Sequence, residues 1–195
     1  LTNRLAGEGY AFAQVTPRGD RDFTNRTISV NYVIDQGPRA YVERLIGPTI
    51  MEPLRTDWNG VRAAASELIG AEKAKEAKAL VEGFHAKLAQ TRVLDPACGT
   101  GNFLYVAMAR MKELESEVLD LLVELGDDQY VAEITGHTIT PENFLGIEIN
   151  PRAAAIAQLV LWIGYLQWHF RVNGKERAPP EPILKDIRTI ENRDA

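Results

Sequence analysis

The spacing of apolar positions changes several times along this chain, and each change predicts an element. From Thr27 to Ile34 the pattern alternates, with Ile28, Val30, Tyr32 and Ile34 on one face, the period of a half-buried antiparallel strand. Ala11 to Val15 is the expected partner. Pro17-Arg18-Gly19-Asp20 and the polar run to Arg26 supply turn chemistry between them, and Leu1 to Glu8 reads as a helix end stopped by Gly9. From Trp58 to Gln90 the period becomes helical. Ala77, Leu80, Val81, Phe84 and Leu88 form one stripe, Gly70 divides two helices, and charges such as Glu72, Lys73, Lys75 and Glu76 form a solvated face.

Val93-Leu94-Asp95 predicts a short buried strand that ends in an acid, and a helix is expected just after Gly99 and Gly101. Phe103, Ala107, Met111, Leu114, Val118, Leu121, Leu122 and Leu125 then recur at helical spacing as far as Gly126, a helix of about six turns that should cover one sheet face. A polar insert from Asp127 to Asn143, with a lone His137, leads to Phe144-Leu145-Gly146-Ile147-Glu148-Ile149-Asn150. That is a second apolar run ending in an acid, followed by an N-cap and a first-turn proline at Asn150-Pro151. That spells strand, then helix, a second time.

Ala153 to Phe170 carries no charge over eighteen residues, long enough to raise a membrane span. Gln158, Gly164, Gln167 and His169 interrupt it, and a helix packed between a sheet and its neighbours is also apolar nearly all round. Trp162, Tyr165, Trp168 and Phe170 then read as core and edge packing and His169 as a polar end; no membrane is expected for residues 47–195. Asn173 to Glu181 is a loop.

Composition narrows the function classes. The 195 residues are 45% apolar and 25% charged, an ordinary globular balance, and the net charge of −5 is the wrong sign for a module that grips nucleic acid through its phosphates. Residues 1–46 hold six arginines against five acids, net +1, which leaves −6 for the remainder. The single cysteine, Cys98, excludes an internal disulfide and a cysteine-based zinc site, and no metal is expected. The chain opens at Leu1 with no leader, and reads as a piece of something longer.

The chemistry concentrates in Asp95-Pro96-Ala97-Cys98-Gly99-Thr100-Gly101-Asn102-Phe103. Two glycines in a strand-to-helix turn let backbone amides approach a ligand, and the first amides of the helix have no intrahelical acceptor. Glycine pairs alone also describe an ordinary tight turn. The full string resembles the S-adenosylmethionine loop of the amino-group DNA methyltransferases, which methylate adenine N6 or cytosine N4, and is most similar to the large methylases of restriction-modification systems. The resemblance begins near Ile50-Met51-Glu52-Pro53-Leu54-Arg55-Thr56-Asp57-Trp58. It implies a Rossmann-like class I methyltransferase fold for residues 93–195, with 47–92 as a helical lead-in.

By that resemblance Asp95 stands near the methionine ammonium, Phe103 against the adenine, and Pro96, Ala97, Cys98, Gly99, Gly101 and Asn102 make the cradle. Glu148, followed by Ile149, is the candidate acid for the ribose hydroxyls, since a carboxylate suits two adjacent donors; it lies 53 residues after Asp95, against about 20 in the dinucleotide fold. Ile190 to Ala195 resembles the third motif, in which Asp194 would accept from the adenine amino group.

No catalytic residue is assigned. Ala178-Pro179-Pro180-Glu181 is not the family's Asn/Asp/Ser-Pro-Pro-aromatic motif, because Ala178 has no side-chain acceptor and Glu181 no ring to stack on a flipped base. The expectation is a cofactor-binding portion of a cytoplasmic DNA methyltransferase whose DNA grip lies elsewhere in its parent. This chain alone should be inactive and should bind S-adenosylmethionine weakly at most. A methyltransferase for a non-DNA substrate is the nearest alternative.

Residues 1–46 resemble something else. Gly9-Tyr10-Ala11-Phe12-Ala13-Gln14-Val15 and Tyr32-Val33-Ile34-Asp35-Gln36-Gly37-Pro38-Arg39-Ala40-Tyr41-Val42 are similar to the second half of a POTRA repeat of the outer-membrane barrel-assembly factor. Arg39 to Leu45 would be the first strand of the next repeat. The resemblance implies a periplasmic hairpin fragment that binds outer-membrane protein clients by strand addition. Its meeting with a methylase near Ile46-Gly47 would then be a fusion, and an envelope interaction module is the rival reading of the whole chain.

Overall fold

The computed structural model describes residues 14–22, 27–35, 38–126, 138–173 and 189–195. The chain divides into two compact units, Leu1–Leu45 and Ile46–Ala195. The expected helix end at Leu1 to Glu8, His137 with most of its insert, and Ala178 to Glu181 all lie outside the described residues.

In the first unit β1 (Gln14–Asp22) pairs antiparallel with β2 (Thr27–Asp35), in a register running from Gln14↔Asp35 to Asp22↔Thr27. Pro17-Arg18-Gly19-Asp20, expected as a turn, stays in this ladder. In a two-stranded sheet each strand keeps an open edge, where a proline's missing N–H is tolerated. Arg39 to Leu45, expected as a strand, lies in helix α1 (Pro38–Ile46). Proline suits a first helical turn, and Val42, Leu45 and Ile46 recur at the three- and four-residue steps of a helix.

The second unit opens on one π-helical turn, Gly47–Met51, and continues as α2 (Glu52–Gly70) and α3 (Ala74–Gln90). These pack as a helical pair. Trp58 of α2 is 1% exposed and stacks on Phe84 of α3, ring centroids 5.1 Å apart. The buried stripe of α3 is Ala77, Val81, Phe84, His85 and Leu88. Leu80, expected in it, is exposed, and His85 takes the inward position in its place.

Strand β3 (Val93–Asp95), helix α4 (Asn102–Glu124), strand β4 (Phe144–Ile147), helix α5 (Pro151–Asn173) and strand β5 (Ile190–Glu191) complete the unit. The three strands form a parallel sheet in the order β3-β4-β5, with Val93 opposite Phe144 and Gly146 opposite Ile190. Helix α4 stops two residues before Gly126, whose φ of +86° is the left-handed stop that glycine supplies. Asn143 ties the base of the sheet together: its side-chain amide donates to the carbonyls of Ala89 and Thr91, at 2.7 and 2.9 Å, joining the end of α3 to the entry of β4.

Three expectations about burial are corrected. Leu94 is 57% exposed, because successive strand residues point to opposite faces and only Val93 faces the core. Helix α5 buries the row Ala154, Ala157, Leu161, Gly164 and Tyr165, while Ile156, Leu159 and Ile163 form a second apolar row that is exposed among the described residues. His169, expected at a polar end, is 7% exposed and packs between the rings of Tyr165 and Phe170. No helix among the described residues is long and apolar enough to cross a membrane.

The centre of the helical layer holds charge that the sequence pattern hid. Lys112 and Glu115 of α4 are 1% and 0% exposed. Lys112 Nζ donates to Glu115 Oε2 and to Thr138 Oγ1, both at 2.8 Å, and lies 4.0 Å from the centroid of the Trp168 ring. Glu115 Oε1 accepts from Thr138 Oγ1 and from the Ile139 amide, each at 2.9 Å, and lies 3.3 Å from His85 Nε2. One carboxylate therefore connects α3, α4 and the segment that enters β4. Desolvation lowers the Lys112 pKa against the pull of Glu115. Desolvation also acts to raise that of Glu115, but the hydrogen bonds from His85, Lys112 and Ile139 outweigh it and hold the carboxyl below its ordinary range.

Candidate functional site

The loop from Asp95 to Asn102 leaves the C-terminal end of β3, where open α/β sheets form their ligand crevices. Its bends are local. Asp95 Oδ1 accepts from the Ala97 amide at 3.1 Å, the side-chain-to-backbone turn that short acids favour, and Gly101 N donates to Cys98 O at 2.8 Å. Gly99 and Gly101 have φ of +55° and +81°, the region that disfavours any side chain.

The two glycines serve different ends. A Cβ on Gly99 would meet nothing within 4 Å, so this bend faces open space. A Cβ on Gly101 would lie 3.0 Å from both Cα and Cβ of Ala157, so the start of α4 sits against α5 only because the position carries no side chain. Pro96 and Ala97 are exposed; Asp95, Asn102 and Phe103 are half-buried, the last two opening α4.

Glu148 follows the last residue of the central strand β4, and the structure places its carboxylate beside the loop. Oε2 accepts from the Gly99 amide at 2.9 Å, and Oε1 accepts from the Asn150 amide at 2.8 Å. A carboxylate oxygen has two acceptor positions, so each oxygen keeps one. The Cys98 amide donates to Ile147 O at 3.0 Å, a second bond between loop and strand. Ile149 is 69% exposed, and Asn150 caps α5 through its side-chain oxygen, 3.0 Å from the Arg152 amide.

Cys98 is buried, and its sulfur would lie 2.7 Å from a Cβ on Gly146, so thiol and glycine fit as a pair. Burial pushes the Cys98 thiol up, and the Asp95 and Glu148 carboxylates add to the effect. Buried against Gly146, it is placed as a packing group. Asp194 is exposed beyond β5, where its Oδ1 accepts from the Ala195 amide at 3.1 Å.

Sequence reasoning missed Asn192. Its side-chain amide donates to Glu148 O at 2.7 Å and to Ile149 O at 2.9 Å, across from β5 to the tip of β4. Nothing local in the sequence signals this contact, which depends on two strands 43 and 44 residues apart lying side by side.

The bend at Gly99 is open, each Glu148 oxygen accepts one backbone amide, Asp95 is a second carboxylate on the loop, and Phe103 supplies a half-buried ring at the start of α4. No group of histidine, cysteine and acid side chains among the described residues could hold a metal.

Four similarities to known proteins bear on this arrangement. The chain is 30% identical over 105 residues to DNA methyltransferase A of Bacillus subtilis (strain 168), covering 53% of this chain and 11% of that protein. It is 28% identical over 143 residues to a putative type II restriction enzyme and methyltransferase of Methanocaldococcus jannaschii, covering 70% of this chain and 12% of the relative. Among solved structures it is similar to the type IIL restriction-modification enzyme MmeI in complex with DNA. That match has a TM-score of 0.61 and 30% identity, over 80% of this chain and 19% of that one. The chain thus spans between a tenth and a fifth of the length of these relatives. Residues 71–195, which include the loop, Glu148 and Asn192, match the family described as MmeI, DNA-methyltransferase domain, and the chain belongs to that family.

Proposed function

We propose that residues 48–195 are the cofactor-holding part of a DNA methyltransferase that transfers the methyl group of S-adenosylmethionine to an exocyclic amine, adenine N6 or cytosine N4, in its full-length parent. The observation that carries the proposal is the 2.9 Å bond from the Gly99 amide to Glu148 Oε2, which joins the loop to the acid of the second strand. In this reading Glu148 accepts the ribose hydroxyls and Asp95 faces the methionine ammonium. Phe103 packs on the adenine, Asp194 accepts from the adenine amino group, and Ile149 borders it. Pro96, Ala97, Cys98, Gly99, Gly101 and Asn102 form the bend beneath.

DNA is the partner of the parent protein, whose compartment would be the cytoplasm. The group that polarises the target amine lies outside this chain's assigned residues, so the chain itself is proposed to be inactive. Residues 1–46 lie outside the part to which this function is assigned. Their likeness to a POTRA repeat rests on sequence words, and α1 stands where that repeat would place a strand.

Calorimetric titration of this chain with S-adenosylmethionine tests the reading. The expected result is saturable binding weaker than about 100 μM, roughly −5.5 kcal/mol, as fits a part of a larger binding site. Micromolar affinity would overturn the weak-binding part, and no heat up to several millimolar would overturn the cofactor assignment.

A further inference from the structure

Strand β4 ends at Ile147 and β5 at Glu191, and the last bond between them runs from the Glu148 amide to Glu191 O at 3.0 Å. Beyond that bond the carbonyls of Glu148 and Ile149 have left the ladder. One NH2 group, Asn192 Nδ2, takes both. Both partners are acceptors, so the nitrogen end of the amide must face them. Ile149 is 69% exposed and gives the bend no anchorage in the core. The peptide planes on either side of Ile149 are thereby fixed, and with them the direction of the Glu148 side chain and of the Asn150 amide that grips Glu148 Oε1.

We propose that Asn192 is a positioning residue: by bridging the carbonyls of Glu148 and Ile149 it holds the Glu148 carboxylate on the Gly99 amide, with two acceptor positions turned toward a ligand diol. The inference rests on the cofactor reading above for the identity of that ligand, but its geometric part concerns Glu148 and Gly99 alone. Asn192 is exposed, so removing its amide takes nothing from the core. Asn192→Asp replaces the two donors with acceptors facing two carbonyls, and Asn192→Ala removes the donors without adding repulsion.

The test has two arms. In the ligand-free arm, amide NMR follows Gly99, whose proton signal is displaced downfield by a charge-assisted bond to carboxylate. Asn192→Ala and Asn192→Asp should each move it upfield, while amides along α2 and α3 stay in place. An unmoved Gly99 signal in both variants would overturn the proposal. In the ligand arm, Asn192→Ala should weaken binding of S-adenosylhomocysteine about tenfold, the size expected for loss of hydrogen bonds to a charged group, and leave its 2′,3′-dideoxy analogue within about twofold. Equal weakening of both ligands would mark a merely structural role and overturn the ribose part. If the unsubstituted chain binds neither ligand while Gly99 still responds, the cofactor reading fails and the positioning of Glu148 stands.

Discussion

Replacing Lys112 by Met should destabilise the second unit by about 3 to 5 kcal/mol at neutral pH, the cost of leaving one member of a buried ion pair without its partner. Glu115 would keep a full charge at 0% exposure, held only by Thr138, the Ile139 amide and His85. Trp168 would lose the ammonium above its ring. The loss should depend on pH in a definite direction. In the unsubstituted protein the Glu115 pKa is lowered on folding, so its contribution is fully present above the unfolded value of 4.5 and is lost as pH falls through the folded one. Without Lys112 the desolvation of Glu115 is less opposed, so acidification neutralises a charge the fold tolerates badly, and the deficit should narrow. Urea unfolding at pH 7 and near pH 4.5 checks both parts. A deficit under about 1 kcal/mol at pH 7, the size of an exposed pair, would show that the network is solvated.

Gly101→Ala should cost about 2 to 5 kcal/mol, from two sources that can be separated. The left-handed backbone at φ +81° contributes about 1 to 2 kcal/mol for any residue with a Cβ. The contact at 3.0 Å with Cα and Cβ of Ala157 adds an overpacking term of about 1 to 3 kcal/mol. Gly99→Ala is the control. It carries a similar backbone penalty at φ +55° with no atom within 4 Å of the new Cβ, so it should cost only the first part, about 1 to 2 kcal/mol. Chemical unfolding of the two variants measures the difference directly. Equal costs would mean that α4 and α5 are not held together at this point.

These two sites differ in how far the sequence exposed them. The glycine turn, the acid at the tip of the second strand and the Asn150-Pro151 helix start are short-range devices, each readable because backbone angle, capping and strand period are properties of a few adjacent residues. Helix α4 was legible for the same reason, from its stripe down to the stop at Gly126. The buried pair within it was not. Lys112 and Glu115, three residues apart, look like a solvated ion pair on an exposed face, and their inward position follows from what α3, α5 and the 138–139 segment place around them. A weak signal was present: both stand in the row Leu104, Met108, Val118, Leu122, whose other members are apolar.

Long-range placement also explains the differences at Asn192, Leu94 and α5. Asn192 is an ordinary polar residue until β5 lies beside β4. Leu94 looked buried because it sits in an apolar strand, but a three-residue strand has two faces and only one is covered among the described residues. The likeness to a repeat predicts a strand for Arg39 to Leu45, whereas the spacing of Val42, Leu45 and Ile46 is helical, and the local physics is the better guide. Helix α5 is apolar all round, and only the structure separates the row that packs on α4 from the row of Ile156, Leu159 and Ile163 that does not.

The central claim, that an adenosyl ligand lies over the bend at residues 95–103 with its sugar at Glu148, is tested most directly by amide NMR of this chain titrated with S-adenosylmethionine. The predicted result is saturable movement of the Gly99, Gly101, Asn102 and Asn150 signals, abolished or strongly weakened in Glu148→Ala. Movement confined to other residues, or an unchanged response in Glu148→Ala, would contradict it.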